Sequence, residues 1–319
     1  MKFLPITLGI ACSALAAQAR AQIAGDAAVQ AQWFTGSLEA PSPALPEAGL
    51  VALEPYLINQ DNSGAYDGHG NHHSVANDTD QLQSLEVFKY GITDRLTLEA
   101  LPSVSHVWNG QSNATGLGDL PLELEYRFND ENNRTGFPSF TASAGVTLPT
   151  GSYNHLRSSL DALGTGAYTL KQGLLAQSLF DSWGDHPVRL RFYGEAFEPV
   201  ANVSLRGISA YGTPEGFHGH ALPGFSGVVG AGAGWGINQR WVLAFDVVQN
   251  VANGAQTRGS IFGLADNSNA PATSSTAIAP AVEYNWSDSV GVIAGIAITV
   301  AGRNSVSYFA PQIALAMSF

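Results

Sequence analysis

Two clusters of histidines are the first residues whose types and spacing suggest chemistry. His69, His72 and His73 lie in a glycine-flanked segment, and His218 and His220 form a second pair. Imidazole binds zinc, copper and nickel, so these histidines are candidate metal ligands. The alternative is that they are hydrated loop residues, as histidines in such flexible segments more often are.

A catalytic interpretation needs a nucleophile, a base and an orienting group close together. His155, Ser158, Ser159 and Asp161 supply these residue types, but the G-x-S-x-G turn that presents a nucleophilic serine is missing. The glycine-rich stretch 227–236 also lacks the Lys-Ser/Thr pair of a phosphate-binding loop. The sequence therefore predicts that the protein is not an enzyme and that it needs no cofactor.

Charged residues alternate with apolar ones along several segments. In segment 120–128 the even positions are apolar or aromatic, whereas Glu123, Glu125 and Arg127 occupy odd positions. A β-strand places these two sets on opposite faces. The charged residues that this alternation assigns to one inner face are Glu54, Glu86, Glu99, Glu123, Glu125, Arg127, Arg189, Arg191, Glu195, Asp246 and Glu283.

Such an inner face has two interpretations. The first is a network of ion pairs that lines a polar lumen. The second is a ring of charges that selects a permeant solute, and its acidic excess predicts a preference for cations.

The ends and the overall charge restrict the class of protein. Lys2, an apolar stretch to Ala17 and the Ala19-Arg20-Ala21 motif predict a signal peptide over residues 1–21, which contains the only cysteine, Cys12. The formal net charge of −12 argues against nucleic acid as a partner. After the leader no run of 18 apolar residues occurs that would predict a transmembrane helix.

Composition alone allows a secreted β-sandwich or a membrane β-barrel, since only 13% of the residues are charged and 35 are glycines. Short and long connections alternate, which is typical of barrels. Aromatic residues lie beside the short connections, as an interfacial belt requires. These residues are Tyr90, Phe128, Phe137, Phe180, Trp183, Trp235, Trp241 and Trp286.

The C-terminus is the most specific of these features. Ile313, Leu315, Met317 and Phe319 alternate with other residues, and a last strand that ends in phenylalanine is similar to the signal that the outer-membrane barrel-assembly machinery reads. We therefore predict an all-β fold, a transmembrane antiparallel up-and-down β-barrel of about 12 strands. The predicted strands span 50–60, 81–90, 95–107, 119–128, 138–149, 166–180, 187–199, 222–236, 240–251, 275–287, 289–301 and 304–319.

Residues 50–319 then form the barrel, and residues 22–49 form an N-terminal periplasmic or plug-like segment. Gly230, Gly232, Gly234 and Gly236 give one wall strand a face without side chains. Interior glycines allow another group to approach closely. A solute or the N-terminal segment with Trp33 and Phe34 is expected to lie against this wall, unless the glycines serve only strand curvature.

Several short motifs resemble a known family. They are Trp33-Phe34-Thr35-Gly36, Glu54-Pro55-Tyr56, Gly91-Ile92-Thr93-Asp94-Arg95, Gly116-Leu117-Gly118-Asp119 and Gly145-Val146-Thr147-Leu148-Pro149-Thr150-Gly151. The chain resembles the outer-membrane barrels of the meta-pathway phenol-degradation family from about Trp33 to Phe319. The resemblance implies a transporter associated with aromatic-compound metabolism, and it implies no catalytic residues.

These observations predict an outer-membrane channel for passive uptake of small solutes, with aromatic or hydrophobic compounds favoured. Its expected partners are outer-membrane lipid, the assembly machinery and the solute. The alternative is a non-transporting structural or adhesive barrel that presents its long connections at the surface. Blockage of the lumen by residues 22–49 would favour this alternative, whereas a continuous wet path would favour transport.

Overall fold

A computed structural model describes residues 32–75, 79–133, 135–181 and 186–319. The predicted signal peptide, residues 22–31 and Trp183 lie outside the described residues. Within the described ranges, no helix is long and apolar enough to cross a membrane.

The described chain consists almost entirely of β-strands, with one 3-10 turn at Ser159–Asp161. In chain order the strands are β1 (Val51–Tyr66), β2 (His72–His73), β3 (Asp80–Thr93), β4 (Leu96–Ala100), β5 (Ser103–Trp108), β6 (Asn113–Leu117), β7 (Leu120–Asn129), β8 (Ser139–Leu148), β9 (Thr169–Asp181), β10 (Pro187–Pro199), β11 (Val203–Arg206), β12 (Phe217–Leu222), β13 (Ser226–Gly236), β14 (Trp241–Ala252), β15 (Gln256–Ile261), β16 (Leu264–Asn269), β17 (Thr273–Asn285), β18 (Val290–Arg303) and β19 (Ser305–Ser318).

Twelve antiparallel wall strands close into a barrel. Sequential neighbours pair around the wall, and β1 pairs with both β3 and β19, so that the sheet has no open edge between its first and last strands. The third wall strand is interrupted between β4 and β5, and the fourth between β6 and β7. The prediction of a 12-strand up-and-down barrel is confirmed.

The outer surface of the wall is apolar because the alternation puts large hydrophobic residues there. Leu57, Leu124, Phe192, Val229 and Phe245 are exposed on five different strands. A contiguous apolar band of this kind is suited to lipid and not to water. Near the short turns, Tyr90, Phe128, Phe137, Trp235, Trp241 and Trp286 are exposed on the described wall, at the level that the predicted aromatic belt requires.

The terminal strand performs the closure. The backbone N–H of Val51 donates to the carbonyl of Phe319 at 3.0 Å, and the Phe319 N–H donates to the carbonyl of Val51 at 2.9 Å. The Phe319 side chain is 65% exposed at the short-turn end of the barrel. Its recognition by the assembly machinery stays a prediction.

Two of the long connections between the predicted strands contain strands of their own. Segments 201–220 and 252–275 contribute to a four-stranded sheet in the order β11-β12-β15-β16, beyond the end of the wall. Segment 108–118 similarly includes β6, which forms a hairpin with β5. These strands are too short to show a clear alternation of apolar and polar residues, so the sequence did not predict them. Their contacts with neighbouring strands determine where they form.

Candidate functional site

The N-terminal segment occupies the barrel lumen. Every residue from Phe34 to Pro43 is buried, although none belongs to a strand. Leu38 is 1% exposed and packs in one cluster with Tyr56, Leu85 and Val87 of the wall. We call residues 32–49 the lumen segment.

Two wall arginines hold the lumen segment through its backbone and hydroxyl groups. Arg189 donates to the carbonyl of Gly36 at 2.6 Å, and its guanidinium lies 4.5 Å from the centre of the Phe34 ring. Arg191 donates to the Ser42 hydroxyl at 3.0 Å. Because charged donors form stronger hydrogen bonds than neutral ones, both arginines anchor this segment firmly.

Wall carboxylates contact the segment from the other side. Glu283 accepts from the backbone N–H of Thr35 at 2.8 Å, and it also receives Arg189 at 2.9 Å. Asp246 accepts from the N–H of Glu39 at 3.0 Å. Glu283 and Asp246, which the sequence alternation placed on the inner face, thus accept hydrogen bonds from backbone N–H groups of the lumen segment. These N–H groups have no partner in a β-sheet.

Small wall residues make room for the segment. A Cβ atom on Gly232 would lie 3.0 Å from the Cβ of Ala40, and one on Gly295 would lie 2.5 Å from a methyl group of Leu38. A side chain at either position would displace the segment or the wall. The glycine face of β13 therefore lies against the N-terminal segment that contains Phe34. The sequence had suggested either this segment or a solute as its occupant.

Two inner lysines, the buried Lys89 and the partly buried Lys171, were missed by sequence reasoning, and they neutralise most of the remaining inner acids. Lys89 Nζ lies 3.0 Å from Glu99 and 2.5 Å from Glu125. Lys171 Nζ lies 2.7 Å from Glu123 and 3.1 Å from Glu195. The acidic face is therefore an ion-pair network inside the barrel.

Nine of the eleven charged residues that the alternation assigned to the lumen are buried on the inner wall. They are Glu54, Glu99, Glu123, Glu125, Arg189, Arg191, Glu195, Asp246 and Glu283. Glu54 accepts from the Tyr56 hydroxyl at 3.2 Å. Arg127 lies at the short-turn rim, where its Nε is 3.4 Å from Asp130.

The expectation for Glu86 was wrong. In β3 the buried residues are Leu85, Val87, Lys89 and Gly91, so Glu86 lies on the outer side of the wall, opposite Pro55. The rule that apolar residues face lipid fails here because Leu85 and Val87 pack against Leu38 inside the barrel. Because the two faces of β3 were exchanged in the prediction, Lys89, which lies on the same face as Leu85, was not recognised as an inner residue.

The two motifs most characteristic of the resemblance meet at the long-connection end. The Asp119 carboxylate accepts from the N–H of Gly151 at 3.0 Å and from the N–H and hydroxyl of Thr165, each at 2.7 Å. Thr150 donates its hydroxyl to the Gly118 carbonyl at 2.8 Å. Asp119 thereby fastens connection 149–168 to the wall beside β7.

Asp119→Ala is expected to release this connection without opening the barrel. Three hydrogen bonds to a carboxylate are lost, and each is worth about 1.5–3 kcal/mol. Trypsin should then cleave faster after the exposed Arg157, which can be followed by mass spectrometry of the fragments. Asp266→Ala, in β16, is the matched control, and equal cleavage in both variants would contradict the role of Asp119.

The candidate metal ligands lie in two separate places. His73 Nε2 is 3.3 Å from Asp67, whose pKa is lowered chiefly by the Asn71 side-chain amide and further by backbone N–H groups of Asn71 and His69. His218 and His220 lie in β12. Within the described ranges, no group of three or more His, Cys, Asp or Glu side chains is arranged to hold a metal ion. Metal binding by these histidines stays a prediction.

Comparison with known proteins gives structural likeness only. No protein-family model and no curated protein matches the chain. An outer membrane channel from Pseudomonas putida F1 has 18% identity and a TM-score of 0.60, over 86% of this chain and 97% of that one. A mutant of the TodX monoaromatic hydrocarbon channel has 11% identity and a TM-score of 0.48, over 90% and 96%. The Ralstonia pickettii toluene transporter TbuX has 10% identity and a TM-score of 0.37, over 97% and 99%. The first likeness supports the barrel fold.

Proposed function

We propose that this protein is an outer-membrane channel for passive uptake of small solutes, with aromatic or other hydrophobic compounds as the favoured class. The observation that carries the proposal is the closed 12-strand wall, which is wide enough to enclose a path that residues 32–46 of the same chain now occupy. Side chains fill the interior of a barrel of about eight strands, whereas larger barrels enclose space. A non-covalently held segment closes that space reversibly.

The favoured substrate class is supported by the resemblance to the meta-pathway phenol-degradation family, to which we propose the chain belongs. Its two most characteristic motifs form one hydrogen-bonded unit around Asp119. Near this unit, Tyr153, Tyr211 and Ile261 pack partly buried against Phe217. These side chains form a packed apolar cluster beside the two motifs, and a path that passes it would favour a hydrophobic solute over an ion.

Passage along the barrel axis requires the lumen segment to move. Three wall side chains beside it, Arg189, Arg191 and Glu283, are at most 3% exposed. Water therefore has little room between segment and wall. A solute that follows the axis must displace the segment from Arg189 and Arg191 as it passes.

A surface barrel without transport is the second candidate. The filled lumen favours it, because a permanently held segment would close the barrel. The four-stranded sheet beyond the wall would then be the functional part, as a surface for other molecules.

Cross-linking the lumen segment distinguishes the two candidates. In Ala40→Cys/Gly232→Cys the Cβ atoms start 3.0 Å apart and must separate slightly, since a disulfide needs about 3.5–4.5 Å. The only natural cysteine, Cys12, lies in the predicted leader, so no other thiol interferes. Liposomes that contain the mature protein are tested for entry of charged benzoates, which bare lipid excludes.

We expect protein-dependent benzoate entry before oxidation, loss of that entry in the oxidised double variant, and recovery on reduction. Each single cysteine variant is the control for the effect of substitution alone. No entry through folded, reduced protein would support the surface barrel instead. Undiminished entry after complete cross-linking would exclude movement of this part of the segment from the mechanism.

A further inference from the structure

The sheet beyond the wall, β11-β12-β15-β16, has one covered and one open face. Val203, Leu205, Phe217 and Ala221 are buried on the covered face. They pack with Ala167, Tyr153 and Tyr211 of the neighbouring connections. The opposite face of the same strands is open and polar.

Four basic residues lie on this open face, which we call the basic face. The strand register places Arg206 opposite His218 and His220 opposite Arg258. The remaining residues of the face are uncharged, and they are Ser204, Leu222, Gln256, Ser260, Ala265, Asn267 and Asn269. Asp266 is opposite Gly259 and therefore belongs to the covered face. The basic face thus carries no carboxylate, in a chain with a net charge of −12.

Among the residues that the structure describes, no carboxylate forms an ion pair with an arginine of this face. Arg258 donates to the Ser268 carbonyl at 3.1 Å, to Asn269 Oδ1 at 2.9 Å and to Gln256 Oε1 at 2.7 Å, all of which are neutral acceptors. The Arg206 guanidinium has no hydrogen bond or ion pair with any described residue. Basic residues directly opposite one another repel when both are charged, so an anion on this face would stabilise the sheet.

The basic face lies next to the lipid-facing surface. β11 follows wall strand β10, β12 precedes β13, and β15 follows β14. Val200, Phe225 and Val251 are exposed apolar residues at the ends of these wall strands, and the sheet begins a few residues beyond them. The sheet that carries the four basic side chains therefore begins where the headgroups of the outer lipid leaflet would lie.

We propose that the basic face binds the phosphate groups of a phosphorylated glycolipid in the outer leaflet, an inference that rests on the proposed membrane location. An arginine guanidinium matches phosphate oxygens with two parallel N–H donors, and histidine adds a further donor. A divalent cation is poorly suited to His218 and His220, because Arg206 and Arg258 flank them. The face therefore fits an anion better than the metal that the histidine spacing suggested.

The test compares Arg206→Gln/Arg258→Gln with Arg240→Gln/Arg303→Gln, which removes the same charge from other parts of the barrel. Detergent-solubilised protein is titrated with purified lipopolysaccharide, with enzymatically dephosphorylated lipopolysaccharide and with phosphatidylethanolamine, and binding is measured by native mass spectrometry. We expect the first variant to bind lipopolysaccharide at least about tenfold more weakly, because two charge-assisted contacts are lost. The control variant should bind normally, and dephosphorylation should weaken binding to the natural protein.

Equal binding by the two variants would overturn the proposal. Competition by inorganic phosphate at the lipid's own concentration would also overturn it, because the face would then be a free-anion site. Heat-modifiable electrophoretic mobility shows that each variant is folded. The benzoate assay is independent of these titrations, so loss of lipid binding and absence of transport are separate results.

Discussion

Deletion of residues 32–46 is expected to turn the barrel into an open pore whose ion conductance is higher by on the order of tenfold, because a large barrel without its plug encloses water. Arg189, Arg191 and Glu283 would lose their contacts with the segment and become hydrated. Residues 47–49 are retained because the N–H of Gly49 donates to the Gly91 carbonyl at 2.8 Å and joins the segment to the wall. Single-channel recording in planar bilayers measures the change.

The open pore should also prefer cations. Seven carboxylates and three basic side chains are buried on the inner wall, Lys171 adds a fourth basic side chain that is 11% exposed, and the excess negative charge attracts cations into the lumen. A reversal potential measured in a potassium chloride gradient gives the preference. A folded deletion variant with unchanged conductance would contradict the plug, whereas equal potassium and chloride permeability would contradict only the electrostatic part.

Lys89→Met is expected to lower the free energy of unfolding by about 3–5 kcal/mol, the usual cost of removing one partner from a buried ion pair. Glu99 and Glu125 would remain inside the barrel without the ammonium group that lies 3.0 Å and 2.5 Å away. Both carboxylates and Lys89 are at most 3% exposed, so water screens the loss poorly. Urea unfolding in lipid vesicles, followed by tryptophan fluorescence, measures the change.

Arg95→Met is the matched control for this prediction. Arg95 lies 3.6 Å from Asp130 in a pair that is half exposed or more, so its loss is expected to cost about 0–1 kcal/mol. Adding Glu125→Gln to Lys89→Met should restore part of the stability, because one uncompensated charge is removed. Similar destabilisation by Lys89→Met and Arg95→Met would show that the inner network contributes little.

The sequence alone was sufficient for the wall of the barrel. Alternation along segments such as 120–128 depends only on the two-residue period of a strand, so it identified the strands and most of the inner charges. The order of short and long connections indicated the up-and-down topology. In each case neighbouring residues carry the information, and no distant contact was needed.

Only the tertiary structure decided what fills the lumen and which side of β3 faces it. Leu85 and Val87 look like lipid-facing residues in the sequence, yet they pack on Leu38, about 50 residues earlier in the chain. Asp119 and Gly151, 32 residues apart, and His220 and Arg258, 38 residues apart, are likewise brought together only in the folded chain. Such contacts depend on residues far apart in the chain, so local spacing and periodicity do not encode them.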